Sequence, residues 1–235
     1  MLLIWMVNIL YFNFTVGQNS QQCTTEKRCQ CKEDESGLFA DCSGFNLHVY
    51  PRFFGGIVTI DVSYNKLKDF LSTIDVPTTL KHLNLSGNLL RRIDTDKSRQ
   101  LFSYINNLAS LNLSSNFIPL DPKFYPSDIF MKLTKLKSLD LTRNTLTAVE
   151  FRTLDQVMKP LASLERFEID RSRKISFGKA FLTLKFLKHL RLYGSCNEYT
   201  LLTIQHDYFD NLPNLRTLAV SSEIKRNFRS IRLKT

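Results

Sequence analysis

LKHLNLSGNLL (residues 80–90), LASLNLSSNFI (108–118) and LKSLDLTRNTL (136–146) carry leucine at their first, fourth and sixth positions and asparagine at the ninth. Outward from these three, IVTIDVSYNKL begins at Ile57, and looser copies follow: LERFEIDRSRK at Leu164, LKHLRLYGSCN at Leu187 and LRTLAVSSEIK at Leu215. The starts are 23, 28, 28, 28, 23 and 28 residues apart. A second ladder keeps the same step. Phe102, Phe130, Phe181 and Phe209 stand six residues before Leu108, Leu136, Leu187 and Leu215, with Met158 and Ile74 in that place before Leu164 and Leu80.

This period is that of a leucine-rich repeat. The fold class expected is an α/β repeat: a curved horseshoe solenoid with a parallel β-sheet on its concave face and a disulfide-bonded N-terminal cap. The fourth and sixth positions alternate as in a short strand with one buried face. The phenylalanine ladder should pack under the convex side. One copy cannot cover its own apolar face, so each depends on its neighbours. Asn65, Asn88, Asn116 and Asn144 at the ninth position form a structural ladder. Each should satisfy backbone groups at the turn leaving its strand and again in the next coil. Later copies have Ser172, Ser195 and Glu223 there and should be less regular.

Residues 1–17 (MLLIWMVNILYFNFTVG) read as a signal peptide: mostly apolar and too short for a membrane span of about 20 residues. No other segment is long and apolar enough to span a bilayer. An exported chain folds where disulfides persist. Four of the five cysteines, Cys23, Cys29, Cys31 and Cys42, lie in residues 18–54, just before the first copy. A solenoid end needs a cap there, and sequence alone allows three pairings. The domains expected are therefore signal 1–17, cap 18–54 and about seven repeats over 55–235, the chain ending within an eighth coil.

The cysteine cluster running into CSGFNL, the 28-residue steps and the irregular later copies resemble the N-terminal part of a Toll-like receptor ectodomain. That resemblance implies the pairing Cys23–Cys31 and Cys29–Cys42. It also implies a protein or microbial ligand on the solenoid surface, a receptor dimer and a role in innate immunity. A self-contained secreted adhesion, decoy or matrix protein is the alternative. Either way the expected place is secreted or extracellular, or the cell surface if a parent receptor carries a span.

The register lists the outward-facing strand positions. Third are Thr59, His82, Ser110, Ser138, Arg166, His189 and Thr217; fifth are Asp61, Asn84, Asn112, Asp140, Glu168, Arg191 and Ala219; seventh are Ser63, Ser86, Ser114, Thr142, Asp170, Tyr193 and Ser221. All should face out from the sheet. The face is small and polar in the first four copies, then charged and bulky. Arg166, Glu168, Asp170, His189, Arg191 and Tyr193 are the candidate ligand-binding patch, since tyrosine and arginine are common interface anchors. Asn84-Leu85-Ser86 and Asn112-Leu113-Ser114 are glycosylation sequons that would shield the earlier face.

The net charge of +10 is lopsided: residues 171–235 hold 13 Lys/Arg against 4 Asp/Glu. This reads as a solvated basic face, and nucleic acid is not an expected partner. The sequence lacks G-x-x-x-x-G-K, H-E-x-x-H and G-x-S-x-G, and the cysteine spacing lacks a zinc-type C-x-x-C. No enzyme activity, cofactor or metal is expected. Cys196 is the odd cysteine.

Overall fold

The computed structural model describes residues 22–71, 76–93, 96–119, 128–144, 157–170, 183–194, 212–222 and 229–232. The proposed signal 1–17, Cys196, the ladder residues Ile74, Phe181 and Phe209, and Ser172, Ser195 and Glu223 lie outside these residues.

Among the described residues ten strands form one sheet in strict chain order. β1 (Gln30–Asp34) and β2 (Gly37–Asp41) make an antiparallel hairpin in the cap. β2 then pairs parallel with β3 (Ile57–Asp61), and β4 (His82–Asn84), β5 (Ser110–Asn112), β6 (Ser138–Asp140), β7 (Arg166–Asp170), β8 (His189–Gly194) and β9 (Thr217–Ser222) follow, all parallel. Every sequence copy thus contributes one strand. Coils are numbered 1–7 below after β3–β9. The chain is a leucine-rich-repeat solenoid with a disulfide-bonded cap.

Fourth-position residues stack in register, Leu83 beside Leu111, Leu111 beside Leu139, Leu139 beside Phe167 and Phe167 beside Leu190. All five are at most 2% exposed. Each such burial stabilises by about 1.5–3 kcal/mol. On the opposite side Phe102 meets Phe70 edge-on at 6.1 Å and Phe130 at 5.7 Å. Phe70 thus extends the ladder into coil 1, a member the six-residue spacing did not reveal. Phe102 sits on helix α1 (Asp96–Tyr104), whose buried residues Ser98, Leu101 and Phe102 share one face. Asp96 in its first turn suits the positive helix N-terminus.

The cap is joined by Cys23–Cys31 and Cys29–Cys42, the pairing the resemblance implied. Its end already follows the repeat path: Asp41 pairs with Asp61 of coil 1. The hairpin presses closely on that coil. A side chain at Gly37 (φ +124°) would meet Val58 at 2.7 Å, so only glycine fits there.

The far end differs from expectation. β10 (Arg229–Arg232) does not open an eighth parallel coil; it turns back and pairs antiparallel with β9. Reversal satisfies the outer edge of β9 with backbone from its own hairpin.

Candidate functional site

In coils 1–4 the chain leaves the sheet by one repeated device. The fifth-position side chain accepts a hydrogen bond from the seventh-position N–H: Asp61 from Ser63 at 2.8 Å, Asn84 from Ser86 at 3.1 Å, Asn112 from Ser114 at 2.9 Å and Asp140 from Thr142 at 2.9 Å. This Asx turn bends the backbone away. The eighth residue is then left-handed: Tyr64 (φ 54°), Gly87 (φ 65°), Ser115 (φ 54°) and Arg143 (φ 56°).

The turn overturns one expectation. Ser63, Ser86, Ser114, Thr142 and Asp170, read as outward-facing seventh positions, are all buried. In coils 1–4 strand alternation stops where the turn begins, and the seventh side chain tucks beneath it; Asp170, the last residue of β7, is instead buried against the turn of coil 4. Asp170 therefore leaves the exposed candidate patch. At 6% exposure, its Oδ2 accepts the Asn144 N–H at 3.0 Å.

The asparagine ladder also runs opposite to the expected direction. Asn116 Nδ2 donates to Leu113 and Ser114 O in its own turn and to Leu85 O in the preceding coil, at 3.0–3.1 Å. Its Oδ1 accepts the Leu90 N–H, also of the preceding coil, at 3.1 Å. Asn65 does the same with Cys42 O and Leu47 N–H of the cap, Asn88 with Val62 O and Leu67 N–H, and Asn144 with Leu113 O and Ile118 N–H. Each amide ties a coil backwards rather than forwards, because its turn points toward the coil already laid down.

The exposed patch on coils 5 and 6 is largely paired within itself. Glu168 is the hub: Arg191 Nη1 lies 2.9 Å from Oε2, and Arg166 Nη1 lies 4.0 Å from Oε1. Burial pushes the Glu168 carboxyl up, as does nearby Asp140, while the two arginines oppose the shift. Burial likewise raises Asp170, against the N–H groups of Arg143 and Asn144. Burial first, then Arg166, Arg216 and Lys188, hold the His189 imidazole below its usual range. Beside the patch, Glu165 bridges Lys188 at 2.6 Å and Lys137 at 3.4 Å.

Tyr193 joins a residue the sequence reading missed. Arg143 Nη2 donates to its hydroxyl at 2.9 Å, with the guanidinium 4.9 Å from the ring centroid. Arg143 sits at an eighth position, just past the strand pattern; its only sequence signal is a bulky cation where glycine and serine also stand. Arg166, Glu168, His189, Arg191 and Tyr193 thus share one face, now with Arg143 and without Asp170.

The sequons face each other across adjacent strands, Asn84 opposite Asn112. Asn84 Nδ2 donates to Asp61 Oδ2 at 2.9 Å. Among the described residues no group of three or more His, Cys, Asp or Glu side chains is placed to hold a metal.

No protein-family model matches the chain. It is 30% identical over 203 residues to Toll-like receptor 4 of Pinctada imbricata, covering 86% of this chain and 21% of that protein. It is also 30% identical over 149 residues to transforming growth factor beta activator LRRC33 of Danio rerio (60% and 21%), and 32% over 132 residues to Tsukushi of Mus musculus (52% and 35%). The chain thus spans a fifth to about a third of the length of these relatives. Among solved structures, the TLR13–ssRNA13 complex matches with a TM-score of 0.54 at 24% identity, over 70% of this chain and 21% of that one; the likeness is one of fold. By its seven in-register coils, its cap and these relatives, the chain belongs to the leucine-rich-repeat proteins and is similar to the N-terminal part of Toll-like receptor ectodomains.

Proposed function

We propose that the chain is an extracellular recognition module, the N-terminal part of a Toll-like innate immune receptor. The observation that carries this is the similarity to a Toll-like receptor along 86% of the chain. Two cap disulfides support an exported chain. Among the described residues no helix is long and apolar enough to cross a membrane. The ligand, a protein or microbial molecule, meets Arg166, Glu168, His189, Arg191 and Tyr193, with Arg143 at the margin. A receptor dimer is the other partner. The residues described offer rigid recognition through preformed ion pairs rather than chemistry.

Glycans on Asn84 and Asn112 shield the earlier half of the same face and leave coils 5 and 6 open. Secretion from a glycosylating host, then mass measurement before and after glycan removal, checks this; an unchanged mass rules it out.

A second reading, a self-contained adhesion, decoy or matrix protein, draws on the comparable identity to Tsukushi and LRRC33. The immobilised full chain separates the two when exposed to microbial cell-wall extracts, Toll-like receptor ectodomains and matrix proteins. The first reading expects retention of a microbial component or an ectodomain, reduced at least tenfold by the double variant Arg166→Glu, Arg191→Glu. Retention of matrix proteins alone favours the second, and binding indifferent to the double variant moves the site elsewhere.

A further inference from the structure

The first coils expose a second surface, on the flank where the chain leaves the sheet. The eleventh positions Leu67 and Leu90 are buried there, and exposed cations stand next to them in the chain. Lys66 and Lys68 of coil 1 and Arg91 and Arg92 of coil 2 are all exposed. Among the described residues no carboxylate forms an ion pair with any of them; the ion pairs present lie elsewhere. The carboxylate among these positions is Asp69.

Aromatic rings stand among these cations. Tyr64 is 71% exposed and Phe117 is 49% exposed, in coils whose other large apolar side chains are mostly buried. Neither ring is loose. Tyr64 lies against Gly87, where an added Cβ would meet it at 2.7 Å, leaving its other side to solvent. The Arg91 guanidinium rests 5.7 Å from the Phe117 ring centroid. Exposed rings held in place expend little conformational entropy on binding, and aromatic residues with arginine mark protein interfaces.

We infer that Tyr64, Lys66, Lys68, Arg91, Arg92 and Phe117 form a docking surface for an acidic protein segment that also carries apolar side chains. Charge complementarity commits the partner: four cations without carboxylate partners call for anionic groups to neutralise them, and two fixed rings call for apolar side chains to cover them. The surface lies off the sheet face that carries the sequon asparagines. It goes beyond the recognition patch proposed above and does not depend on it, since it uses different coils and a different side of the solenoid.

The test uses the secreted full chain and a synthetic 14-residue peptide alternating Asp/Glu with Phe/Leu, measured by calorimetry. A single-stranded oligonucleotide of equal charge is the comparator. The triple variant Lys66→Glu, Arg91→Glu, Arg92→Glu is expected to weaken peptide binding at least tenfold. Phe117→Ala is expected to weaken it about fivefold without changing its salt dependence. Arg166→Glu with Arg191→Glu, on the sheet face, is expected to leave it unchanged. These positions are exposed, and circular dichroism of each variant verifies the fold. Absence of peptide binding, equal loss in the sheet-face variant, or an oligonucleotide that binds as tightly as the peptide would each overturn the inference.

Discussion

Coils 1–4 and coils 5–7 solve one problem in two ways. In the first group the backbone turns out of the sheet after the fifth position, and strands β4–β6 span three residues each. In the second the strands run on: β7 has five residues, and β8 and β9 have six. Pairing continues through Ile169 with Leu192, Asp170 with Tyr193 and Tyr193 with Ser221. Buried N–H and C=O groups must find partners. Where a ninth-position asparagine supplies them, the chain turns early; where it is missing, the sheet ladder supplies them by growing longer. Asp170 stands at the junction, its carboxylate serving the Asn144 N–H of the last asparagine-bearing turn.

The sharpest way to break this comparison is Asn116→Ala. It leaves the N–H of Leu90 without its acceptor inside the stack and removes one of two donors from each C=O of Leu85, Leu113 and Ser114, which keep Asn88, Asn144 and the Gly87 N–H. The stranded N–H costs about 1–3 kcal/mol and each of the three lost donors about 0.5–1.5 kcal/mol more, so a loss of about 3 kcal/mol or more is expected in denaturant unfolding. A loss below about 1 kcal/mol would mean the turn does not need the amide.

Next comes the junction. Asp170→Ala should cost about 1–3 kcal/mol through the stranded N–H groups, whereas Asp170→Asn, which keeps an acceptor, should cost far less. The aspartate also gives coil 5 a pH dependence. Its folded carboxyl holds a proton more tightly than the unfolded one. Its contribution is therefore full below the ordinary carboxylate value and declines as pH rises through the raised folded value. Acidification through that window should protect coil 5 amides more in the natural protein than in Asp170→Asn, as read by hydrogen exchange.

The smallest effect belongs to the exposed ion pair. Arg191→Ala should change stability by less than about 1 kcal/mol, because solvent screens the pair. The same variant should weaken ligand binding, which separates a recognition role from a structural one.

Much of this was legible beforehand. Leucine spacing located every parallel strand from β3 to β9, because burial at the fourth and sixth positions needs only local periodicity. The asparagines announced buried turns. What period two does not encode is where a strand stops, so Ser63, Ser86, Ser114 and Thr142 were read one step too far, while Asp170 is drawn inward by the Asn144 turn. Arg143 with Tyr193 escaped because the two residues are 50 apart in sequence. Glu168 and Arg191, by contrast, hold the fifth position of adjacent copies, so their placement side by side follows from the repeat register. β10 carries no repeat pattern, and nothing in RSIR marks a reversal.

Arg143 and Tyr193 have a consequence for how the molecule comes apart. They belong to coils 4 and 6, and their contact reaches over coil 5. A stack in which each layer touches only its neighbours frays one layer at a time. A tie that skips a layer adds a next-nearest-neighbour coupling, so these three layers should open as one cooperative unit and hold the middle of the molecule to a single exchange plateau.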